Sequence, residues 1–208
     1  MKHHNVHRKI SEQGFALLIT LVVVGVVLSV GLSILDLSIK QVRLSSNAKD
    51  SEVSFHAANA GMECARYVRQ VNAGDMEVGS GITPACFSGT VSNNTDGSVP
   101  SIDPNPGMYI DSGTGEAFIY EYDISWGTPA DRCTKVTTLV ASTSITSVGN
   151  LVIEDVSEDM PGYPLATKEC EPGARCTVIS VKGYNKNCAA VNAGSTYGIV
   201  EREVLLQF

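Results

Sequence analysis

Phe15 to Leu35 is a run of 21 residues without a charge, and only Thr20, Ser29 and Ser33 carry polar side chains in it. As one helix it would rise about 31 Å, enough to cross the hydrocarbon of a bilayer. Secretory signal peptides have a shorter apolar region and end at a small-residue cleavage site. Here "LSILDLSIKQ" follows, with no A-x-A pattern, so the run reads as a retained membrane-spanning helix. A buried core helix would need burial all round, which a chain of this size supplies poorly. Lys2, Arg8 and Lys9 precede the run and favour a cytoplasmic N-terminus; Lys40 and Arg43 after it make the bias modest. The body would then lie outside the cytoplasmic membrane.

The helical pattern continues beyond the span. From Asp36 to Val71 there is no proline, and Gly61 is the sole glycine. Phe55, Ala58, Met62 and Ala65 recur at spacings of three and four, which is one apolar helix stripe. "NAGD" at 72–75 offers the stop, with Gly74 as C-cap. The expectation is a continuous helix over 15–72, apolar all round at first and one-sided later.

Residues 75–116 are dense in Gly, Ser, Pro, Asn and Asp and read as an irregular connection. The period then changes to two. "AFIYEYDISW" (117–126) sets Phe118, Tyr120, Tyr122, Ile124 and Trp126 against Ala117, Ile119, Glu121 and Asp123, a half-buried strand. Further strands are expected at 133–143, 176–184 and 195–208, with weaker ones at 139–145 and 150–156. Short links favour antiparallel neighbours. One face of that sheet needs a cover, and the helix stripe can supply it. The fold class expected is α+β, a long N-terminal helix on a C-terminal antiparallel sheet. Its parts are a leader 1–14, a membrane or core helix 15–35, an exposed half-helix 36–74, a loop region 75–116 and a sheet domain 117–208.

Cys64, Cys86, Cys133, Cys170, Cys176 and Cys188 are even in number and suit disulfides in an exported chain. Cys170 and Cys176 flank the turn "EPGAR" and can close a small loop. Cys64 with Cys86 would tie the helix end to the connection. No C-x-x-C is present, the one H-x-x-x-H (His3–His7) lies in the leader, and His56 is the only histidine after it, so a metal site is not expected. A cysteine nucleophile would have to use His56 as base for Cys64. In "NNTDGS", Asn93, Asn94 and Asp96 could offer oxygens to Ca²⁺, but solvated turn residues explain them better. Asn93-Asn94-Thr95 also fits the N-x-T acceptor pattern. "DSGTGE" (111–116) lacks the lysine and preceding strand of a phosphate loop. Glu63 reads as a solvated helix residue, or as a polar contact to a neighbouring subunit. No acid–base pair stands out, so no enzyme activity and no cofactor are expected. Formal net charge is −7; removing residues 1–14, with Lys2, Arg8, Lys9 and Glu12, leaves −9. An acidic body of this kind argues against general nucleic-acid binding.

A basic leader, then Gly14, then Phe15 opening an apolar helix resembles the class III signal of type IV pilins and pseudopilins. "SFHAANAGMECA" (54–65) is similar to the A-x-x-A-G-x-E-x-A run of PilX-type minor pilins. Together the similarity covers about residues 8–70. It implies that a prepilin peptidase cuts after Gly14 and methylates Phe15. It further implies that the helix sits in lipid of the inner membrane, contacts an assembly platform there, and then packs against other pilins. The final place would be an extracellular pilus or a periplasmic pseudopilus. Major pilins carry glutamate as the fifth mature residue, thought to pair with a neighbour's N-terminal ammonium; here that place holds Ile19. A buried charge without its partner is costly, so Ile19 points to a sparse tip or priming subunit. Adhesion, DNA uptake and secretion are all open as outputs. The rival readings are a type II secretion pseudopilin and a signal-anchored exported enzyme or binding domain.

Overall fold

The computed structural model describes residues 12–86, 89–93, 105–106, 115–127, 129–146, 148–194 and 197–208. The chain divides into two compact units, Met1–Ala48 and Lys49–Phe208. Helix α1, Glu12–Val71, supplies all the described structure of the first unit and the opening helix of the second. With no proline in its span, nothing breaks its hydrogen-bond ladder. It stops at Asn72, whose Nδ2 donates to Val68 O at 2.9 Å. A five-residue helix α2 (Ala73–Glu77) follows. Gly74 therefore lies inside α2 and is not the C-cap. The left-handed glycine comes later, at Gly79 (φ +68°), where the chain turns and Ser80 N donates to Asp75 O.

The sheet begins earlier than the alternating pattern suggests. Strands β1 (Gly89–Asn93) and β2 (Asn105–Pro106) fall inside the stretch expected to be irregular, and both pair with β3 (Gly115–Trp126). Then come β4 (Arg132–Thr143), β5 (Leu151–Ile153), helix α3 (Val156–Asp159), β6 (Lys168–Cys170) and β7 (Arg175–Tyr184). Helix α4 (Cys188–Asn192) and β8 (Glu201–Gln207) complete the series. The main sheet runs β1-β3-β4-β7-β8, with β2 also on β3, and every pairing is antiparallel; β5 and β6 form a separate pair. The weak strand expected at 139–145 is the end of β4, and the one at 150–156 shrinks to β5. The last strand is shorter than 195–208, since Gly198 (φ +68°) turns the chain just before it. The fold class is α+β.

Alternation assigns the sheet two faces. Tyr120, Tyr122 and Ile124 of β3, Val136 and Val140 of β4, and Ile179 and Val181 of β7 pack with Met62, Ala65 and Val68 of α1. Fully burying a side chain such as Met62 or Val68 contributes about 1.5–3 kcal/mol. The opposite face has its own core. Ala117, Ile119, Leu139 and Val178 lie against Leu151, Ile153, Val156, Met160 and Tyr163 of the β5–α3–β6 segment. So β3 is buried on both faces along much of its length, rather than half-buried, because the β5–α3–β6 segment, of which the sequence showed only a weak strand at 150–156, forms a second cover.

Candidate functional site

The apolar run lies wholly within the first unit. Every residue from Phe15 to Lys49 is exposed, including Phe15 and Ile19. This is one helix long and apolar enough to cross a membrane, by length and composition. Its hydroxyls are satisfied internally: Thr20 donates to Leu17 O at 2.8 Å, Ser29 to Val26 O at 2.9 Å and Ser33 to Ser29 O at 2.8 Å. That is the requirement for a polar group in hydrocarbon. Gly25 and Gly31 have open space around them, so another backbone can approach closely there. Just beyond the run, Asp36 and Lys40 form an exposed i,i+4 ion pair at 2.7 Å. Gly14 and Phe15 are both within α1; Met1 to Ser11 lie outside the described residues. Residues 36–48, the start of the expected exposed half-helix 36–74, are exposed, and the first buried residue of α1 is Ser54.

The seat of α1 in the second unit is built from small residues. Ala58, Met62 and Ala65 are buried as the stripe requires. Phe55 is not: it is 50% exposed, and Ser54 takes the inward place instead, donating through Oγ to Val200 O at 2.8 Å. Trp126 Nε1 donates to Thr134 Oγ1 at 2.8 Å, and that hydroxyl donates to Ala57 O at 2.9 Å, pinning the helix to β4. Gly61 and Gly183 make this contact tight. A Cβ on Gly61 would strike Thr134 and Val181, and one on Gly183 would strike the α1 backbone at Ser54 and Ala58. The lone glycine inside "ISVKGY" was the available signal for such an approach. Arg69, buried at the far end of the seat, donates to Thr177 Oγ1 at 3.1 Å and to Glu77 Oε1 at 2.8 Å. No local pattern marks that ion pair.

All six cysteines are paired: Cys64 with Cys86, Cys170 with Cys176, and Cys133 with Cys188. The first two are the pairs suggested by the helix end and by the "EPGAR" turn; the third joins β4 to α4 and was not read. With Cys64 bonded, no thiol faces His56, which is exposed and lies 3.6 Å from Glu52. Asp123 sits close to Cys133 and Cys188, but a disulfide offers no thiolate pair to a metal. Glu63 is exposed and pairs with Arg66 at 3.2 Å. Asn93 ends β1, while Asn94, Thr95, Asp96 and most of "DSGTGE" lie outside the described residues.

Shifted titrations in the second unit follow burial. The Tyr120 hydroxyl is pushed up to about 12, chiefly by burial, with Asp75 raising it further and Arg69 opposing. Burial also raises Tyr122, Tyr163 and Tyr184, the last helped by a hydrogen bond with Glu201. Asp123 is raised by burial, against the hydrogen bond from Asn192 and the charge of Lys135. Each shift favours the neutral form, as burial does. No family model, curated protein or solved structure matches the chain.

Proposed function

We propose that the chain is a type IV pilin-like minor subunit, a non-enzymatic component that works by helix packing. Its helix holds it in the inner membrane with the N-terminus cytoplasmic, and then exchanges lipid for the helices of sister pilins. The carrying observation is the exposure of every residue from Phe15 to Lys49 on a helix that continues into a packed seat on an antiparallel sheet. The Gly14–Phe15 junction after a basic leader supports processing by a prepilin peptidase, and three disulfides suit an exported domain. Ile19 in place of the fifth-residue glutamate supports a tip or priming position.

The test is co-expression with a prepilin peptidase, followed by intact mass measurement. The expected product starts at N-methylated Phe15, and Gly14→Val leaves the chain full length. An intact Met1 in the presence of active peptidase would overturn the reading. Placement is tested by counting subunits in purified filaments. A sparse component is expected, and abundance equal to the main pilin would refute the tip or priming role.

A further inference from the structure

Strand β8 ends the main sheet, and among the described residues no strand lies on its outer side. The ladder parity defines what that edge presents. Phe208 N donates to Thr177 O at 3.0 Å, and Thr177 N to Phe208 O at 2.8 Å. In an antiparallel pair such residues alternate with ones whose backbone groups face away. Leu206, Val204 and Arg202 therefore bond to β7, while Glu201, Glu203, Leu205 and Gln207 turn their N–H and C=O groups outward. Exposed edges are usually blunted with charge. Glu201, Arg202 and Glu203 do this for the first half of β8; Val204, Leu205 and Leu206 leave the second half unguarded.

That second half borders a cavity of about 610 Å³ floored by Leu206 and Phe208 and walled by Arg66, Arg69 and Arg175. Glu77 is its one acidic wall residue, and it is already held between Arg69 Nη2 and Arg175 Nε at 2.8 and 3.3 Å. Counting also Glu63, which holds Arg66 at 3.2 Å from beside the cavity, the three arginines keep one positive charge in excess. The Arg66 and Arg175 side chains are 55% and 70% exposed. Each guanidinium has five donors, so most of theirs remain available to a ligand. The excess is notable in a chain whose own charge is −7.

We propose that the outer edge of β8 over Val204–Phe208 docks an extended acidic segment of a partner polypeptide. The segment adds as a further strand, and its carboxylates lie against Arg66 and Arg175. Outward N–H and C=O groups recurring at every second residue, about 6.7 Å apart, match another strand's backbone and no small ligand. The arginines select its charge. This is independent of the helix-packing role, since no residue of Phe15–Leu35 takes part.

The test uses the full chain in detergent micelles and a labelled octapeptide of alternating valine and glutamate, read by fluorescence anisotropy. Binding is expected to weaken more than about tenfold when alternate peptide nitrogens are methylated, because each blocked hydrogen bond costs about 1 kcal/mol. Leu205→Pro removes one outward N–H while leaving the β7 bonds of its neighbours, and should weaken binding about fivefold. The paired change Arg66→Gln with Arg175→Gln should cost about fivefold, and a valine–lysine octapeptide should bind worse than the acidic one. If Leu205→Pro unfolds the strand, the methylated peptide and the arginine pair still decide. Equal binding of methylated and plain peptides, equal binding of acidic and basic ones, or no binding would overturn the proposal. So would self-association of the chain that Leu205→Pro abolishes, since the edge would then serve a second copy.

Discussion

Gly183→Ala is the smallest change that tests how α1 is seated. Gly183 pairs with Thr134 on the sheet face beneath α1. An added methyl would fall on Ser54 O and Ala58 N, with Ala58 Cα at 2.8 Å, where ordinary contact is 3.4–4 Å. These are helix backbone atoms, so no rotamer relieves the clash, and helix and strand must separate by about 1 Å. A gap of that size forfeits a quarter to a half of each dispersion contact across it, and overpacking of this kind costs about 1–3 kcal/mol. The hydrogen bonds from Thr134 to Ala57 O and from Ser54 to Val200 O would stretch together, at about 1 kcal/mol each. The sum is about 3–5 kcal/mol, or a fall in Tm of about 10 °C for a domain of this size. Near-UV circular dichroism on the full chain in detergent, disulfides intact, reads it through Trp126, which bonds to Thr134. Gly61→Ala strikes Thr134 and Val181, buried β-branched side chains with little freedom to turn, and should cost about 1–3 kcal/mol, whereas Gly74→Ala meets open space and should be neutral. A Tm for Gly183→Ala within about 2 °C of the parent would refute the close backbone contact.

Tyr122 Oη is buried without a hydrogen-bond partner, whereas Tyr120 Oη reaches Ser80 O at 3.0 Å. Tyr122→Phe should therefore hold or raise Tm while Tyr120→Phe costs about 1 kcal/mol, compared by thermal melts. Cys133 and Cys188 close the longest of the three disulfide loops, at a sequence separation of 55. Replacing both by alanine should cost about 4 kcal/mol in urea unfolding, against about 2 kcal/mol for Cys170 and Cys176, separated by 6. Burial raises the Asp123 carboxyl above its ordinary value. The folded chain holds that proton where the unfolded chain has lost it, so the stabilising term is full below about pH 3.9 and fades as pH rises through the folded value. Asp123→Asn, measured by Tm against pH, should gain on the parent as pH rises above about 4; a constant offset would contradict this.

How much of this was legible follows from which signals are local. The apolar run announces itself by length, and β3, β4, β7 and β8 by β-branched alternation. Phe55 failed because spacing fixes a stripe but not its margin, and at that margin the small Ser54, with a carbonyl in reach, displaced the aromatic ring. Strand β1 was hidden because "GTVSN" has too little apolar content; its place depends on pairing with β3, a contact across about thirty residues. Of the β5–α3–β6 cover only β5 showed, as the weak strand at 150–156; α3 and β6 were hidden. The cover's residues acquire a core only against Ile119, Leu139 and Val178. Asp123 read as the solvent side of a half-buried strand because α4 and its disulfide could not be foreseen above it.

The distribution of burial also separates the chain's two tasks. No described residue before Ser54 is buried, and every core cluster is built from residues between Met62 and Leu206. The second unit therefore has no apolar debt to the first, and its stability is independent of what surrounds the apolar helix. A chain beginning at Lys49 should keep its three disulfides, remain soluble without detergent and melt within about 3 °C of the full-length protein. If that truncation collapsed or needed detergent, residues before Lys49 would be contributing to the core after all. The filament role proposed above would require this separation, because the folded body would have to persist while the surroundings of its helix are exchanged.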